Sequence, residues 1–392
     1  MKNKEVSHIP FNRPHVTGHE NSYILQAIAQ GYIAGGHGYF SKKCVDFFRN
    51  RYGFENNLLT HSCSGALEIA ATLCNLKKGD EVIVPSFTYV TTASAFDKTG
   101  ASLVFADSET NHPNISPESV RSAITEKTKV LVIVHYAGMA CNMNEIMKIV
   151  DEFRLILIED CAHAIDAFYE RKVLGSFGHF STFSFHETKN IHCGEGGLLV
   201  VNDQNKLREA LEIWQEGTNR SDFEKGLQNQ YEWVNTGSSY QPPELSTAFL
   251  YGQLESIDKI QECRINLWNN YFNQLSECGV TSFELPAKKE NHNAHIFYLR
   301  CKTKQQRDRF IEFMKSNRIM TVFHYLPLHL SPYQKNKYKS KISLINAIKW
   351  SEQIVRLPLY IDMSQKHQEK VISAVIEFCK RQGTELQVSQ SL

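Results

Sequence analysis

Between residues 60 and 205 the apolar positions fall in short unbroken runs separated by polar or periodic stretches. EVIVPSF (81–87), SLVFAD (102–107), KVLVIVHY (129–136), RLILIED (154–160) and GLLVVND (197–203) are rich in β-branched residues and leucine. Continuous runs of this length predict strands covered on both faces. SGALEIAATLCNL (64–76) and MNEIMKIVDEF (143–153) instead repeat their apolar positions with a helical period. Strands alternating with helices predict βαβ units around a mostly parallel sheet. Ligands collect beyond the carboxyl ends of such strands, where Asp107, His135 and Asp160 fall.

The pattern changes after residue 205. NKLREALEIWQEG (205–217) is helical, and the run 245–278 reads as one long helix with room for an interruption. AHIFYLRC (294–301), RDRFIEFMKSNRI (307–319) and MTVFHYLPL (320–328) predict a smaller α/β unit, closed by a helix over 366–382 and a polar, frayed tail (383–392). A chain of 392 residues fits two packed domains, 1–255 and 256–392.

Composition narrows the function classes. The chain has 43 basic against 42 acidic residues, net +1, which argues against a nucleic-acid binder. No apolar run approaches the ~18–20 residues of a membrane helix, and MKNKEVSHIPFNRPHV lacks the apolar centre of a signal peptide. Ten scattered cysteines with no C-x-x-C pair argue against a disulfide framework or a zinc site, and point to the cytoplasm.

Several segments carry candidate chemistry. LILIEDCAH is a buried strand ending in two acids, and side-chain alternation sends Glu159 and Asp160 to opposite faces. One of them aims into the crevice, although a helix N-cap or a solvated strand end explains the pair equally well. THSCSGALEIA sets Ser62, Cys63, Ser64 and Gly65 before a helix, which suits either an anion site or simple N-capping by Ser64. GEGG (194–197) marks a tight turn or a loop with a purpose. His186, His192 and Cys193 match no tetrahedral metal spacing. Together, a phosphate cradle, the aromatic segment PSFTYVTTASAF, a strand-end acid and a lysine (Lys189) before a glycine loop are the parts a pyridoxal phosphate site needs.

The strings SFHETKN…GEGG, EDCAH, VPSFTYVTTASAF, VHYAG and FHYLPLH resemble the DegT/DnrJ/EryC1/StrS sugar-nucleotide aminotransferases. The similarity runs from IPFNRPHVTGHE to RLPLYIDMSQ. It implies an α/β, type I pyridoxal-phosphate (aspartate aminotransferase-like) fold, with a mostly parallel central sheet and a smaller C-terminal α/β domain. FSFHETKN, EGTNRS, TGSSY and VFHYLPLH further resemble members that place an amine at C4 of a dTDP-4-keto-6-deoxyhexose, with L-glutamate as donor.

Carried over by residue, the resemblance makes Lys189 the Schiff-base lysine and Asp160 the partner of the ring nitrogen. His163 would lie near the cofactor's phenolic oxygen, and Tyr89 would stack on its ring. Ser64, Cys63 and Ser184 would hold the phosphate; the family has Gly-Thr where this chain has Cys63 and Ser64. Where the family has Gly-x-Asn-x-Arg, reaching a neighbouring subunit's phosphate, this chain has GSSYQ (237–241), with Ser239 and Gln241 replacing the asparagine and arginine. Asn219, Arg220, Tyr325, His329 and the glycine-rich stretch 31–43 are the sugar-nucleotide candidates. A homodimer with shared active sites is implied too. The open alternatives are amination at C3, a keto-sugar dehydratase (in which histidine replaces the lysine), and a non-enzymatic regulator.

Overall fold

A computed structural model of the protein describes residues 8–288, 291–335, 337 and 342–389. The first seven residues of the stretch read as lacking a signal peptide, and the last three of the polar tail, lie outside the described residues.

Two helices lead into the sheet, α1 (Glu20–Ala29) and α2 (Tyr39–Tyr52). The large sheet has seven strands: β1 (Asn57–Thr60), β2 (Glu81–Pro85), β3 (Ser102–Ala106), β4 (Thr128–Val134), β5 (Ile156–Asp160), β8 (Phe180–Ser184) and β9 (Gly197–Val201). The short hairpin β6 (Phe168–Tyr169) and β7 (Lys172–Val173) lies between β5 and β8 in the chain. The spatial order is β1-β9-β8-β5-β4-β2-β3. Every pairing from β3 across to β8 is parallel, and β9 runs antiparallel to both neighbours. The mixed, mostly parallel α/β sheet agrees with the sequence expectation.

Strand alternation sorts this sheet into two packed faces. Val82, Val84, Val130, Val132 and Ile158 enter one core cluster, with α3 (Cys63–Leu73) and α4 (Val90–Asp97). Ile83, Leu131, Ile133 and Leu157 enter another, with α5 (Pro117–Ala123) and α6 (Met143–Phe153). The same period places Asp160 on the α3/α4 face and Glu159 on the α5/α6 face.

Downstream come α7 (Leu207–Trp214), α8 (Arg220–Glu224) and then α9 (Glu244–Leu254) and α10 (Ile257–Glu277). The long helix expected over 245–278 is thus broken after Leu254, and the domain boundary placed at 255/256 falls in that break. A three-stranded antiparallel sheet follows, built from β10 (Phe283–Glu284), β11 (Tyr298–Cys301) and β12 (Ile354–Arg356). It is flanked by α11 (Lys304–Ser316), α12 (Ile345–Gln353) and α13 (Gln365–Ser389). Alternation works here too: Ile296 and Tyr298 join the core of the large sheet, whereas Phe297, Leu299 and Cys301 join a separate cluster with α10, α11 and α13. The last helix runs past its expected end at 382 to Ser389. A single interior glycine such as Gly383 costs only about 1 kcal/mol and does not by itself stop a helix.

Two of the strand-end residues have structural partners. Asp107 accepts the backbone N–H groups of Asn346 (3.0 Å) and Ala347 (2.7 Å), so it caps the start of α12. His135 accepts from Cys141 N–H through Nδ1 (3.1 Å), which leaves Nε2–H to donate to Glu159 at 3.0 Å. Glu159, fully buried, also accepts from the backbone of Phe177, Gly178 and Gly175 at 2.7–3.0 Å. Burial alone would raise its pKa; the hydrogen bonds from His135, Gly178 and Gly175 outweigh that and hold it below the usual value. Glu159 is therefore a structural anchor for the loop between β7 and β8. Glu159→Ala would strand these buried donors and should cost about 3–5 kcal/mol; equal chemical-denaturation midpoints for variant and parent would refute this.

Candidate active site

The α3/α4 face of the sheet gathers most of the residues singled out above. Asp160 closes β5, buried, with both oxygens occupied. Thr92 Oγ1 donates to Oδ2 at 2.7 Å and Ala162 N–H donates to Oδ1 at 3.0 Å. Thr92 lies one turn into α4, and Thr88 Oγ1 sits 3.0 Å from its hydroxyl. Since Thr92 spends its proton on Asp160, Thr88 is the donor of that second bond. Burial raises the pKa of Asp160, while Thr92, Ala162 and the charge of Lys189 oppose the shift.

Lys189 stands on the turn after β8, half-buried, with its N–H bonded to the His186 carbonyl at 2.9 Å. Burial lowers its amine to about 8; Cys63 and Asp160 pull the other way, and Arg356 adds to the lowering. Cys63, pushed up by burial and by Asp160, completes this electrostatic group.

Cys63 also begins α3. The cap is Ser62, whose hydroxyl accepts from Gly65 N–H at 3.1 Å, so the expectation of capping by Ser64 is corrected. Ser62, not Ser64, has the extended backbone a cap requires. The N–H groups of Cys63 and Ser64 have no intrahelical acceptor, and no other acceptor for them occurs among the described residues. Ser184 ends β8 opposite Gly197 of β9. A Cβ on Gly197 would lie 2.4 Å from Ser62 C and 2.5 Å from Cys63 N. The last glycine of GEGG, paired with Ser184, is thus required by the close approach of β9 to the helix start.

A shell of neutral aromatic rings faces this cluster. His163 Nδ1 accepts from Ala137 N–H (3.3 Å), so its proton sits on Nε2, 3.2 Å from the Tyr325 hydroxyl. His324 stacks on Tyr325, ring centroids 3.6 Å apart, and its Nδ1 is 2.5 Å from the Tyr136 hydroxyl. His295 lies 4.4 Å from His163, centroid to centroid. Burial holds all three imidazoles well below the ordinary value, hence neutral. Tyr89, half-exposed at the start of α4, presents its ring 6.1 Å from that of Tyr325.

Four other expected contacts have partners of their own within this chain. Asn219 accepts from Glu232 N–H (2.7 Å), Arg220 pairs with Glu224 (2.9 Å), and His329 meets Ser86 (2.6 Å). Ser239 is exposed and bridges Gln215 through its backbone. The stretch 31–43 meets the 237–244 segment: Glu244 accepts from Phe40 N–H at 2.6 Å, and Gly36 lies against Gln241.

The model of the DegT/DnrJ/EryC1/StrS aminotransferase family matches residues 17–376. The chain belongs to this family. Solved structures agree in fold. Spr1654 from Streptococcus pneumoniae, described as a sugar aminotransferase and solved in a PMP-form, is 23% identical with a TM-score of 0.89, covering 97% of this chain and 100% of that one. The aminotransferase TlmJ from Streptoalloteichus hindustanus is 23% identical, TM-score 0.88, over 96% and 100% of the two chains. DesV of S. venezuelae, solved in complex with an intermediate, is 26% identical, TM-score 0.85, over 95% and 98%.

Within this family member, sequence reasoning passed over Thr92, Tyr136, His295, His324 and Arg356. Two of these had a signal. Thr92 lies in the aromatic segment, one turn after Tyr89. Arg356 is the lone charge in the apolar run IVRLPLYI.

The depressed Lys189 amine gives a test. With a pKa of about 8, roughly a tenth of the amine is neutral at pH 7, against under a thousandth for an ordinary lysine. Acylation of the cofactor-free protein, read by mass spectrometry, should label Lys189 at a rate that levels off above about pH 8, whereas surface lysines go on rising toward about pH 10. Asp160→Asn should move the Lys189 midpoint lower, because an opposite charge favouring the ammonium is gone. A Lys189 midpoint equal to that of the surface lysines would count against the site.

Proposed function

We propose that this protein transfers an amino group from L-glutamate to C4 of a dTDP-4-keto-6-deoxyhexose, using pyridoxal phosphate. The product would be a dTDP-4-amino-4,6-dideoxyhexose, of galacto or gluco configuration, for a bacterial surface polysaccharide. The observation that carries the reading is the lowered Lys189 amine beside buried Asp160 and the open N–H groups of α3. Family membership supports the amino transfer. The strings FSFHETKN, EGTNRS, TGSSY and VFHYLPLH support the C4 position and the nucleotide.

The residues present fit the cofactor. The Cys63 and Ser64 N–H groups at the start of α3 suit a phosphate at a helix N-terminus, with the Ser64 and Ser184 hydroxyls as the further ligands of this reading. Asp160, held at both oxygens, opposes a protonated ring nitrogen, and Tyr89 offers a ring to cover its face. Lys189 provides the amine for covalent attachment. When bound, pyridoxal phosphate supplies an electron sink for the carbanion formed at the reacting carbon.

The chain's own groups do the rest. Lys189 Nζ, about half released from its proton at pH 8, takes the proton from the carbon bearing the donor amine. Glutamate leaves as 2-oxoglutarate. In the second half Lys189 delivers a proton to C4 of the sugar. Asp160 stays ionised beside the ring nitrogen, steadied by Thr92 and Ala162. His163, kept neutral, offers Nε2–H to an oxygen without adding charge. The wall of His163, His324, Tyr136 and Tyr325 excludes water from this side.

The division at 255/256, a homodimer with shared sites and a cytoplasmic address belong to the same proposal. In it, Ser239 reaches the cofactor phosphate of the neighbouring subunit, and Asn219, Arg220, Tyr325 and His329 serve the sugar nucleotide.

The test is incubation with dTDP-4-keto-6-deoxyglucose, L-glutamate and pyridoxal phosphate. Amino sugar and 2-oxoglutarate should form in equal amounts, with the position and configuration of the amine read from proton NMR couplings. An amine at C3, or a deoxygenated sugar without matching 2-oxoglutarate, would replace this function by the C3 transferase or the dehydratase. Lys189→Ala should lose the visible absorbance of lysine-bound cofactor and at least ~1,000-fold in turnover. Substantial turnover by that variant would sink the assignment.

A further inference from the structure

Asn190 follows Lys189 in the chain, is 2% exposed, and has each polar atom of its side chain bonded. Its Nδ2 donates to the Asn293 carbonyl (2.8 Å) and to Gln261 Oε1 of α10 (2.9 Å), and its Oδ1 lies 2.8 Å from His295 Nδ1. A backbone carbonyl only accepts, so the atom facing Asn293 is the nitrogen and the oxygen is left for His295. His295 therefore carries its proton on Nδ1, and its Nε2 makes no hydrogen bond among the described residues. His163 is the opposite tautomer, with Nδ1 accepting from Ala137 N–H and the proton on Nε2. The two rings lie 4.4 Å apart, centroid to centroid.

One short segment supports both histidines. Asn293 Nδ2 donates to the carbonyls of His163 (2.8 Å) and Ile165 (2.7 Å), and its Oδ1 accepts from His295 N–H at 3.1 Å. Arg264 of α10 donates to the carbonyls of Ala294 (3.3 Å) and His295 (2.8 Å). Residues 293–295 thus back the turn that carries His163, and Asn190 ties them to the turn that carries Lys189. The charged groups that act on the pair are cations: Lys189 and Arg356 on both rings, and Arg264 on His295. The other rings against His163 are Tyr136, His324 and Tyr325, and no described carboxylate bonds to either imidazole. A carboxylate at position 190 would give His295 a counter-charge and favour the imidazolium. An amide holds the same proton in place and adds no charge.

We propose that Asn190 is a positioning residue that acts through His295: by fixing the His295 proton on Nδ1 it keeps the paired imidazoles uncharged and holds His163 in place as an Nε2–H donor. This rests on the aminotransferase reading of the Lys189 site, in which His163 faces the phenolic oxygen of the cofactor. A hydrogen bond given to that oxygen draws negative charge from it, and the nearby lysine-bound nitrogen then loses its proton at lower pH. A His163 that is no longer held gives that bond poorly, so the nitrogen keeps its proton to higher pH.

Two readouts test the proposal. In the cofactor-free protein, nitrogen NMR reports where each imidazole proton sits, with the His295 signals assigned by their loss in His295→Asn. The parent should show His295 protonated on Nδ1, and Asn190→Ala should populate the Nε2–H form. In the holoenzyme, the visible absorbance of lysine-bound cofactor is titrated with pH. Asn190→Ala and His295→Asn should each raise its midpoint by roughly 0.5–1 pH unit, the size of one net hydrogen bond. The double variant should shift it no further, because one residue acts through the other. Asn190→Asp keeps the shape and carries the test should Asn190→Ala fail to fold: its His295 should be an imidazolium at pH 7, and a neutral His295 there overturns the proposal. An unchanged tautomer in Asn190→Ala overturns it too, as do midpoint shifts that add in the double variant. A lowered unfolding midpoint with tautomer and absorbance midpoint unmoved would make the role of Asn190 structural and likewise overturn it. A parent that shows no lysine-bound absorbance removes the aminotransferase reading itself, whereas the NMR readout needs no cofactor and judges Asn190 separately.

Discussion

The two-residue period of β5 is the constraint on which the site depends. It turns the neighbouring carboxylates of Glu159 and Asp160 to opposite faces of one strand, and their surroundings then differentiate them. Glu159 meets His135 and the backbone of Gly175, Phe177 and Gly178, which absorb its charge into the fold. Asp160 meets Thr92, Ala162 N–H and the field of Lys189, in a crevice where a ligand can approach. One carboxylate anchors a loop and the next serves chemistry. Were β5 to slip by one residue, the two would exchange roles and the site would be lost.

Burial then tunes the enclosure. The same desolvation lowers the Lys189 amine, keeps His163, His295 and His324 neutral and raises the pKa of Asp160. Each shift disfavours charge, so the enclosure is arranged around two exceptions: a carboxylate steadied by hydrogen bonds, and the Arg356 guanidinium, whose buried Nε has no acceptor. A ring nitrogen cation would answer the first. The enclosure is therefore electrostatically incomplete until its ligands are present, which is the condition for differential binding at a reacting centre.

Much of this was legible in the chain. The five apolar runs became strands because a strand buried on both faces needs no polar alternation. Two strands of the large sheet escaped. NLLT in β1 is too short to stand out, and FSTFS in β8 alternates small hydroxyls with phenylalanine and passes for a polar stretch. The glycines of GEGG looked like a turn; at Gly197 the reason is the backbone of Ser62 and Cys63 a few ångströms away, a long-range neighbour that no local pattern announces.

By itself the sequence determined the βαβ order, the lysine before its glycine loop and the acids at the end of β5, because these are written in local periodicity and side-chain chemistry. Only the tertiary structure decided that Asp107 caps α12, that Glu159 is spent on a loop, and that Ser62 is the cap of α3. It also decided that Arg356, 167 residues beyond Lys189, shares its enclosure. Hydrogen-bond satisfaction and desolvation depend on what the chain brings alongside a group, and for each of these residues the deciding partner, near or far, is identified only once the backbone is folded.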